Sequence, residues 1–291
     1  MNRGFIKSVL RPLLAFVLSI PAIAQAEPLS VFVSVLPLKT FVEAIGGRHV
    51  AVQTLVKAGQ NPHAFEPTPR QVAALAEARL YLRIGVPFED AWLRRMRAIN
   101  PALRVFDARA GIDLIASAHS HNRHGTEDPS GDPHVWTSPP IVKVMARSIA
   151  AALAEADPAN AGGYAENYRR YAAALDALDR DIKSLLRHLA NRRFMVFHPA
   201  WGYFAEAYDL IQIPIEKDGK EPGPRALVAL VEEARRENIK TLFVQPQHNR
   251  KIAEQIAALI DGRIEVIDPL APDYLSNMRN FARLIAESND R

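Results

Sequence analysis

The chain has 291 residues, 48% of them hydrophobic and 23% charged, with no cysteine at all. That length suits about two domains, each able to bury a core without crosslinks. The absence of cysteine excludes disulfides, thiol nucleophiles, cysteine-based zinc sites and redox motifs.

The first 26 residues read as a secretory signal. Arg3, Lys7 and Arg11 precede a short apolar run from Leu13 to Ala24, and Ala24-Gln25-Ala26 offers small residues for cleavage. The run is too short to span a bilayer of about 30 Å, and Pro21 interrupts it. No other stretch is long enough to span, so the processed protein is expected in the periplasm with no membrane span. The sequence pI of 9.4 owes its excess to this leader. Without the three leader cations, 33 basic side chains face 32 acidic ones, which gives no argument for a nucleic-acid partner.

Strand and helix patterns then alternate. Residues 29–36, 51–57, 80–85 and 104–108 read as strands, separated by helical patterns at 39–46, 69–78 and 89–100. Such alternation predicts a parallel sheet flanked by helices. A helix follows over 141–156, closed by Asp157-Pro158. Next come some thirty residues without proline, in which Tyr164, Tyr168, Tyr171, Leu175, Leu178, Ile182, Leu185 and Leu189 recur at three- and four-residue spacing. This pattern predicts one amphipathic helix of about 45 Å, a rigid strut between two lobes, with His188 on its solvated face.

The alternation resumes with strands at 193–198, 211–216, 241–246 and 263–268 and helices between and after them. The expected architecture is α/β, with two Rossmann-like β/α lobes of parallel sheets joined by one long helix. Its boundaries are a signal peptide at 1–26, an N-terminal lobe at 27–158 with a histidine-containing loop at 118–133, a linking helix at 159–191 and a C-terminal lobe at 192–291. No GxxxxGK[ST], GxGxxG or GxSxG motif occurs, so nucleotide binding and a hydrolase elbow lack support.

Four side chains sit where a strand or loop gives way to a helix: His63 in "GQNPHAFEPTP", His134 in "GDPHVWTSPP", His198 in "VFHPAWGYF" and Asp268 in "VIDPLAP". In open α/β sheets, ligands bind beyond the carboxyl ends of strands. Three neutral imidazoles and a carboxylate make a complete coordination sphere for Zn²⁺. Proline adjoins each of the four, restricting φ and stiffening the loops. Singly, a histidine beside a proline is an ordinary loop residue, and no HExxH spacing ties the four together.

The stretches "VSVLPL", "LVKAGQNPHAFEPTPRQVAALAEARLYLRIGVPFEDAWL", "GDPHVWTSP", "DPANAGGYAENYRRY", "FMVFHPAWGYFAEAYDL", "LFVQPQ" and "VIDPLA" make the chain resemble the zinc/manganese group of metal-specific solute-binding proteins of bacterial ABC importers. The likeness covers essentially the whole sequence after the leader. It implies two α/β lobes joined by a long helix and metal ligands at His63, His134, His198 and Asp268. It further implies an ABC permease in the inner membrane, with its cytoplasmic ATPase, as partner for a monomer that binds and releases its ion without making or breaking a bond.

Zinc is the expected cargo and manganese the alternative. Manganese-preferring relatives often place a glutamate where this chain has His198, and nitrogen-rich ligation suits zinc. Water replaces the fourth ligand in some zinc members, which leaves Asp268 the least secure. A zinc-dependent hydrolase is the reading from another class, since three histidines with an open position would activate water. No general base stands beside the ligands in a recognisable motif, however. His119, His121 and His124 lie among Ser, Asn, Arg and Gly, a composition that cannot bury apolar surface, and are expected to form a weak auxiliary zinc collector. His49 reads as a turn residue and Glu66 as solvated; His248, which follows a strand, reads as a surface residue, with an approach to the cleft as the alternative. Phe65, Trp136, Trp201 and Tyr203 are expected to pack around the ligands.

Overall fold

The alternating patterns fold into two separate parallel sheets in the computed structural model, which describes residues 27–116, 131–217 and 219–289. The signal segment and the tract with His119, His121 and His124 lie outside the described residues. The first sheet contains β1 (Leu29–Val33), β2 (Val50–Thr54), β3 (Leu80–Arg83) and β4 (Arg104–Asp107), in the order β2-β1-β3-β4. The second contains β5 (Arg193–Val196), β6 (Ile211–Pro214), β7 (Thr241–Val244) and β8 (Arg263–Val266), in the order β6-β5-β7-β8. Every pairing is parallel. The two orders are equivalent, so the lobes repeat one topology although no repeat is visible in the sequence.

The strands end about two residues before their apolar patterns do. Leu55, Val56, Ile84, Phe197 and Ile215 lie past the ladders yet remain buried. Apolar periodicity reports burial, and the loops leaving each strand stay beneath helix ends for a further turn. Proline opens α1 (Leu36–Gly46), α2 (Pro69–Ala76), α3 (Pro87–Ile99) and α4 (Pro139–Ala156) within their first two positions, where its missing N–H costs no helical bond. Thr68 and Gln71 add a reciprocal cap to α2. Gly85, at φ +85°, turns the chain out of β3, and its N–H and that of Ile84 donate to the buried Glu89 carboxylate at the start of α3.

The connecting helix α5 spans Ala161–Leu185, about 38 Å at 1.5 Å per residue. It is shorter than its sequence pattern suggests, and His188 falls in the turn beyond it. Leu186 is buried beside Ile182 whereas Leu185 is 39% exposed, so the apolar stripe stops being served by continued helix. The chain must also reach β5 only a few residues later.

The remaining helices are α6 (Gly202–Ala207), α7 (Pro224–Arg236), α8 (Lys251–Leu259) and α9 (Tyr274–Asn289). Helix α5 packs on α1 and α4 of the first lobe and on α9, which returns from the second. One continuous core therefore joins the first lobe, α5 and one face of the second sheet, with Phe281 against Trp201 at 4.0 Å and Tyr274 edge-on to Phe41 at 4.9 Å. A smaller core beneath α7 and α8 fills the other face. Thr40 adds a hydrogen bond to the Pro272 carbonyl across the lobes, 2.8 Å. Among the described residues no helix is long and apolar enough to cross a membrane.

Candidate metal centre

Parallel strands deliver their loops to the same edge of a sheet, and each sheet here changes winding direction once, between β1 and β3 and between β5 and β7. The loops at that edge hold the histidines singled out by sequence. His63 lies in a short 3-10 turn after β2, with Asn61 Oδ1 accepting its backbone N–H at 2.8 Å. His134 immediately precedes a 3-10 turn leading into α4. His198 follows β5, pinned by two bonds to Gln245 beyond β7: Gln245 Oε1 accepts the His198 N–H at 3.1 Å, and Gln245 Nε2 donates to the His198 carbonyl at 2.7 Å.

The three imidazoles converge through their Nε2 atoms. His63 Nε2 lies 3.2 Å from His134 Nε2, which lies 3.4 Å from His198 Nε2. Ligand atoms of all three fall within 4.8 Å of one another. A tetrahedral zinc with Zn–N of about 2.0–2.1 Å holds its nitrogens about 3.3–3.4 Å apart. The two measured spacings approximate that edge.

Each buried imidazole is oriented by a carboxylate on its other nitrogen. His134 Nδ1 lies 2.6 Å from Asp132 Oδ1, which also accepts the His134 backbone N–H at 2.9 Å. His198 Nδ1 lies 3.2 Å from Glu216 Oε1. A carboxylate can only accept, so both Nδ1 atoms carry the proton and both Nε2 atoms present lone pairs. Burial holds His198 down to about 4, outweighing the upward pull of Glu216, so it is neutral and ready to ligate at ordinary pH. Burial pushes the Glu216 carboxyl up, but the hydrogen bonds from His198 and His248 more than offset this and leave it below the usual carboxylate range.

The histidines line a cavity of about 20 Å³ together with Asn61, Trp136, Gln247, His248 and Leu270. That is room for roughly one water-sized occupant, far below the 300 Å³ or so of an organic-ligand pocket. Larger hollows of about 390 and 470 Å³ lie elsewhere, but no cluster of metal-ligating side chains among the described residues lines them. Trp136 donates its indole N–H to the Pro269 carbonyl at 2.8 Å, and the Tyr203 hydroxyl donates to the Asp132 carbonyl at 2.8 Å. Both bonds cross between lobes beside the cavity. Trp136, Trp201, Tyr203 and Phe65 are all buried; Trp136 packs edge-on to His134 with ring centroids 5.3 Å apart, whereas Trp201 packs on Phe281 and Phe65 on Phe88. Glu66 is exposed.

Asp268 is not brought into the histidine group. Its Oδ1 accepts from Gln247 Nε2 at 2.8 Å and from the Leu270 N–H at 2.9 Å, while the two residues after it line the cavity. His248 departs from the surface role read in the sequence: it lines the cavity and stacks on His198 with ring centroids 4.7 Å apart. Sequence reasoning also missed Asp132 and Glu216. The first was signalled by its place two residues before His134 in "DPH", and the second by a lone acid closing the apolar run "IQIPIE".

The profile of the family described as ZnuA, zinc-uptake complex component A, periplasmic, matches residues 31–288. The chain is similar to the high-affinity zinc uptake system protein ZnuA of Bacillus subtilis (strain 168), with 28% identity over 256 residues, 85% of this chain and 80% of the relative. It superposes on a crystal structure of ZnuA with a TM-score of 0.85 and 39% identity, covering 90% of this chain and 99% of the other. A zinc-bound ZnuA deletion mutant lacking residues 138–173 of its own sequence gives a TM-score of 0.83 and 40% identity, covering 90% and 98%.

Proposed function

The chain belongs to the ZnuA family of periplasmic zinc-uptake components, and from that premise we propose that it captures one Zn²⁺ between its lobes and delivers it to an inner-membrane ABC permease driven by a cytoplasmic ATPase. His63, His134 and His198 are the ligands in this reading. The observation that carries it is the Nε2 spacing of 3.2 and 3.4 Å, with the opposite nitrogens of His134 and His198 committed to carboxylates. The fourth position is assigned to Asp268, which must turn from Gln247 to reach it and therefore contributes less than any histidine. The working form is a monomer, exported by cleavage after residue 26, with His119, His121 and His124 as a weak auxiliary collector.

A cavity of about 20 Å³ fits an ion and disfavours a hydrolase, which needs room for substrate beside the metal-bound water. Manganese, the alternative cargo, prefers oxygen donors, and the three convergent ligands are nitrogen. The test is elemental analysis of the protein purified from its own periplasm, followed by competition between zinc and manganese. One equivalent of zinc, retained against excess manganese, is the expected result. Manganese in the native protein, or loss of zinc to it, overturns the assignment.

A further inference from the structure

The cavity holds one more imidazole than the proposed ligand set uses. His248 Nδ1 lies 3.3 Å from Glu216 Oε2, while the other oxygen of the same carboxylate lies 3.2 Å from His198 Nδ1. The two rings stack at 4.7 Å with 18° between their planes. One carboxylate thus holds two near-parallel imidazoles by the same nitrogen. Their Nε2 atoms, on the far side of each ring from Glu216, belong to two residues that both line the cavity.

His248 is not a fourth member of the existing group. Ligand atoms of His198, Glu216 and His248 lie within 4.8 Å of one another, as do those of His63, His134 and His198, but the two groups share only His198. Their division follows the lobes. His63 and His134 come from loops of the first sheet, whereas His198, Glu216 and His248 all follow strands of the second. The His248 side chain is 13% exposed against 7% for His198, so it stands on the solvent side of the pair.

Resting on the reading that His63, His134 and His198 hold zinc, we propose that His248 is an exchange ligand, a second station on the C-terminal lobe that shares His198 and carries the ion during uptake and release. In the step, the Zn–Nε2 bond to a first-lobe histidine breaks and a Zn–Nε2 bond to His248 forms. The charge on zinc is unchanged, and no proton moves, because His198 and His248 each keep the Nδ1 proton that they donate to Glu216. Ligands then leave one at a time, which avoids exposing a zinc ion stripped of two donors together.

The experiment uses the full-length processed protein carrying His248→Gln, with far-UV circular dichroism and thermal melting to check the fold. Zinc dissociation is followed by stopped-flow chelator challenge, and affinity by equilibrium competition. An exchange ligand predicts release and uptake both slowed, by about tenfold, with Kd within about twofold of wild type. A residue that merely orients Glu216 and His198, or a resident fourth ligand, predicts instead weaker affinity, by about 10- to 100-fold for a lost supporting contact, and faster release. Either that pattern or unchanged rates overturns the proposal. In a second arm, the His63→Ala/His134→Ala double variant retains weak zinc binding that adding His248→Ala abolishes; identical binding with and without His248 overturns it. The underlying ligand assignment fails separately, if His63→Ala alone keeps wild-type Kd.

Discussion

Replacing Asp132 tests whether the orientation of an imidazole governs zinc affinity. Its Oδ1 lies 2.6 Å from His134 Nδ1 and 2.9 Å from the His134 backbone N–H, and both residues are buried. Asp132→Ala leaves a buried Nδ1–H without its acceptor, a cost of about 1–3 kcal/mol. The ring escapes that cost by moving its proton to Nε2, which removes the lone pair the metal needs. By either route the ligating tautomer is disfavoured by about 1–3 kcal/mol, and at about 1.4 kcal/mol per tenfold zinc affinity falls about 5- to 140-fold. Asp132→Asn keeps an oxygen acceptor but exchanges a charge-assisted bond for a neutral one of about half the strength, so about a tenfold loss is expected. The assay is competition with a chelator of known affinity on folded, metal-free protein. An alanine variant within about twofold of wild type, or one that binds better than the asparagine variant, refutes the reasoning.

His63→Ala, His134→Ala and His198→Ala should each weaken zinc binding on the order of 100-fold or more, because losing a mere supporting partner already costs about 10–100-fold. Asp268→Ala should cost less, about tenfold; equal losses at all four positions would contradict this ranking. The metal-free protein should lose stability in acid: His198 titrates near 4 when folded and near 6.5 when unfolded, so its contribution is complete above about 6.5 and falls as pH drops toward about 4. Full protonation linkage is about 3 kcal/mol, and urea midpoints that fall equally in wild type and His198→Gln across this window would exclude it. Zinc at about 1,000 times Kd should stabilise by about 4 kcal/mol, so chelation should lower Tm by about 10 °C; an unmoved Tm would contradict tight native-state binding. Deleting residues 119–130 should preserve one tight site in calorimetry and abolish a weaker one, whereas loss of the tight site would place those histidines in the primary shell.

The sheets and the three histidines were legible because each rests on a local signal. Apolar runs such as "TLFV" mark buried parallel strands, and His63, His134 and His198 stand beside prolines at loop ends, where an α/β sheet presents its ligands. The partners that orient them were not, because their roles depend on pairing across the fold. Glu216 meets His198 only because β6 lies beside β5, and His248 reaches the same carboxylate from beyond β7. A charged residue after a strand carries no sign of which neighbouring loop it will face. Asp268 shows the converse: its position after β8 matched the ligand pattern, but Gln247 and the Leu270 N–H hold Oδ1, a competition that no motif reveals. The length of α5 was not legible for a similar reason, since the apolar spacing runs on from Leu185 to Leu189 although the helix ends at Leu185.

The geometry also accounts for selectivity by what does not have to move. A metal that must gather scattered ligands loses part of its binding energy to ordering side chains, at about 0.5–1.5 kcal/mol for each one immobilised. Here His134 is fixed by Asp132, and His198 by Glu216 and by the backbone clasp of Gln245. The Nε2 atom of His134 already sits one edge of a small tetrahedron from those of His63 and His198. An ion seeking six oxygen ligands finds neither the donors nor the volume in a cavity of about 20 Å³. Zinc needs little rearrangement, so preorganisation favours the ion that accepts four ligands and imidazole nitrogen. The same fixed geometry would slow release if all ligands had to part at once, which is why a neighbouring imidazole on one lobe matters to the exchange rate and not to the affinity.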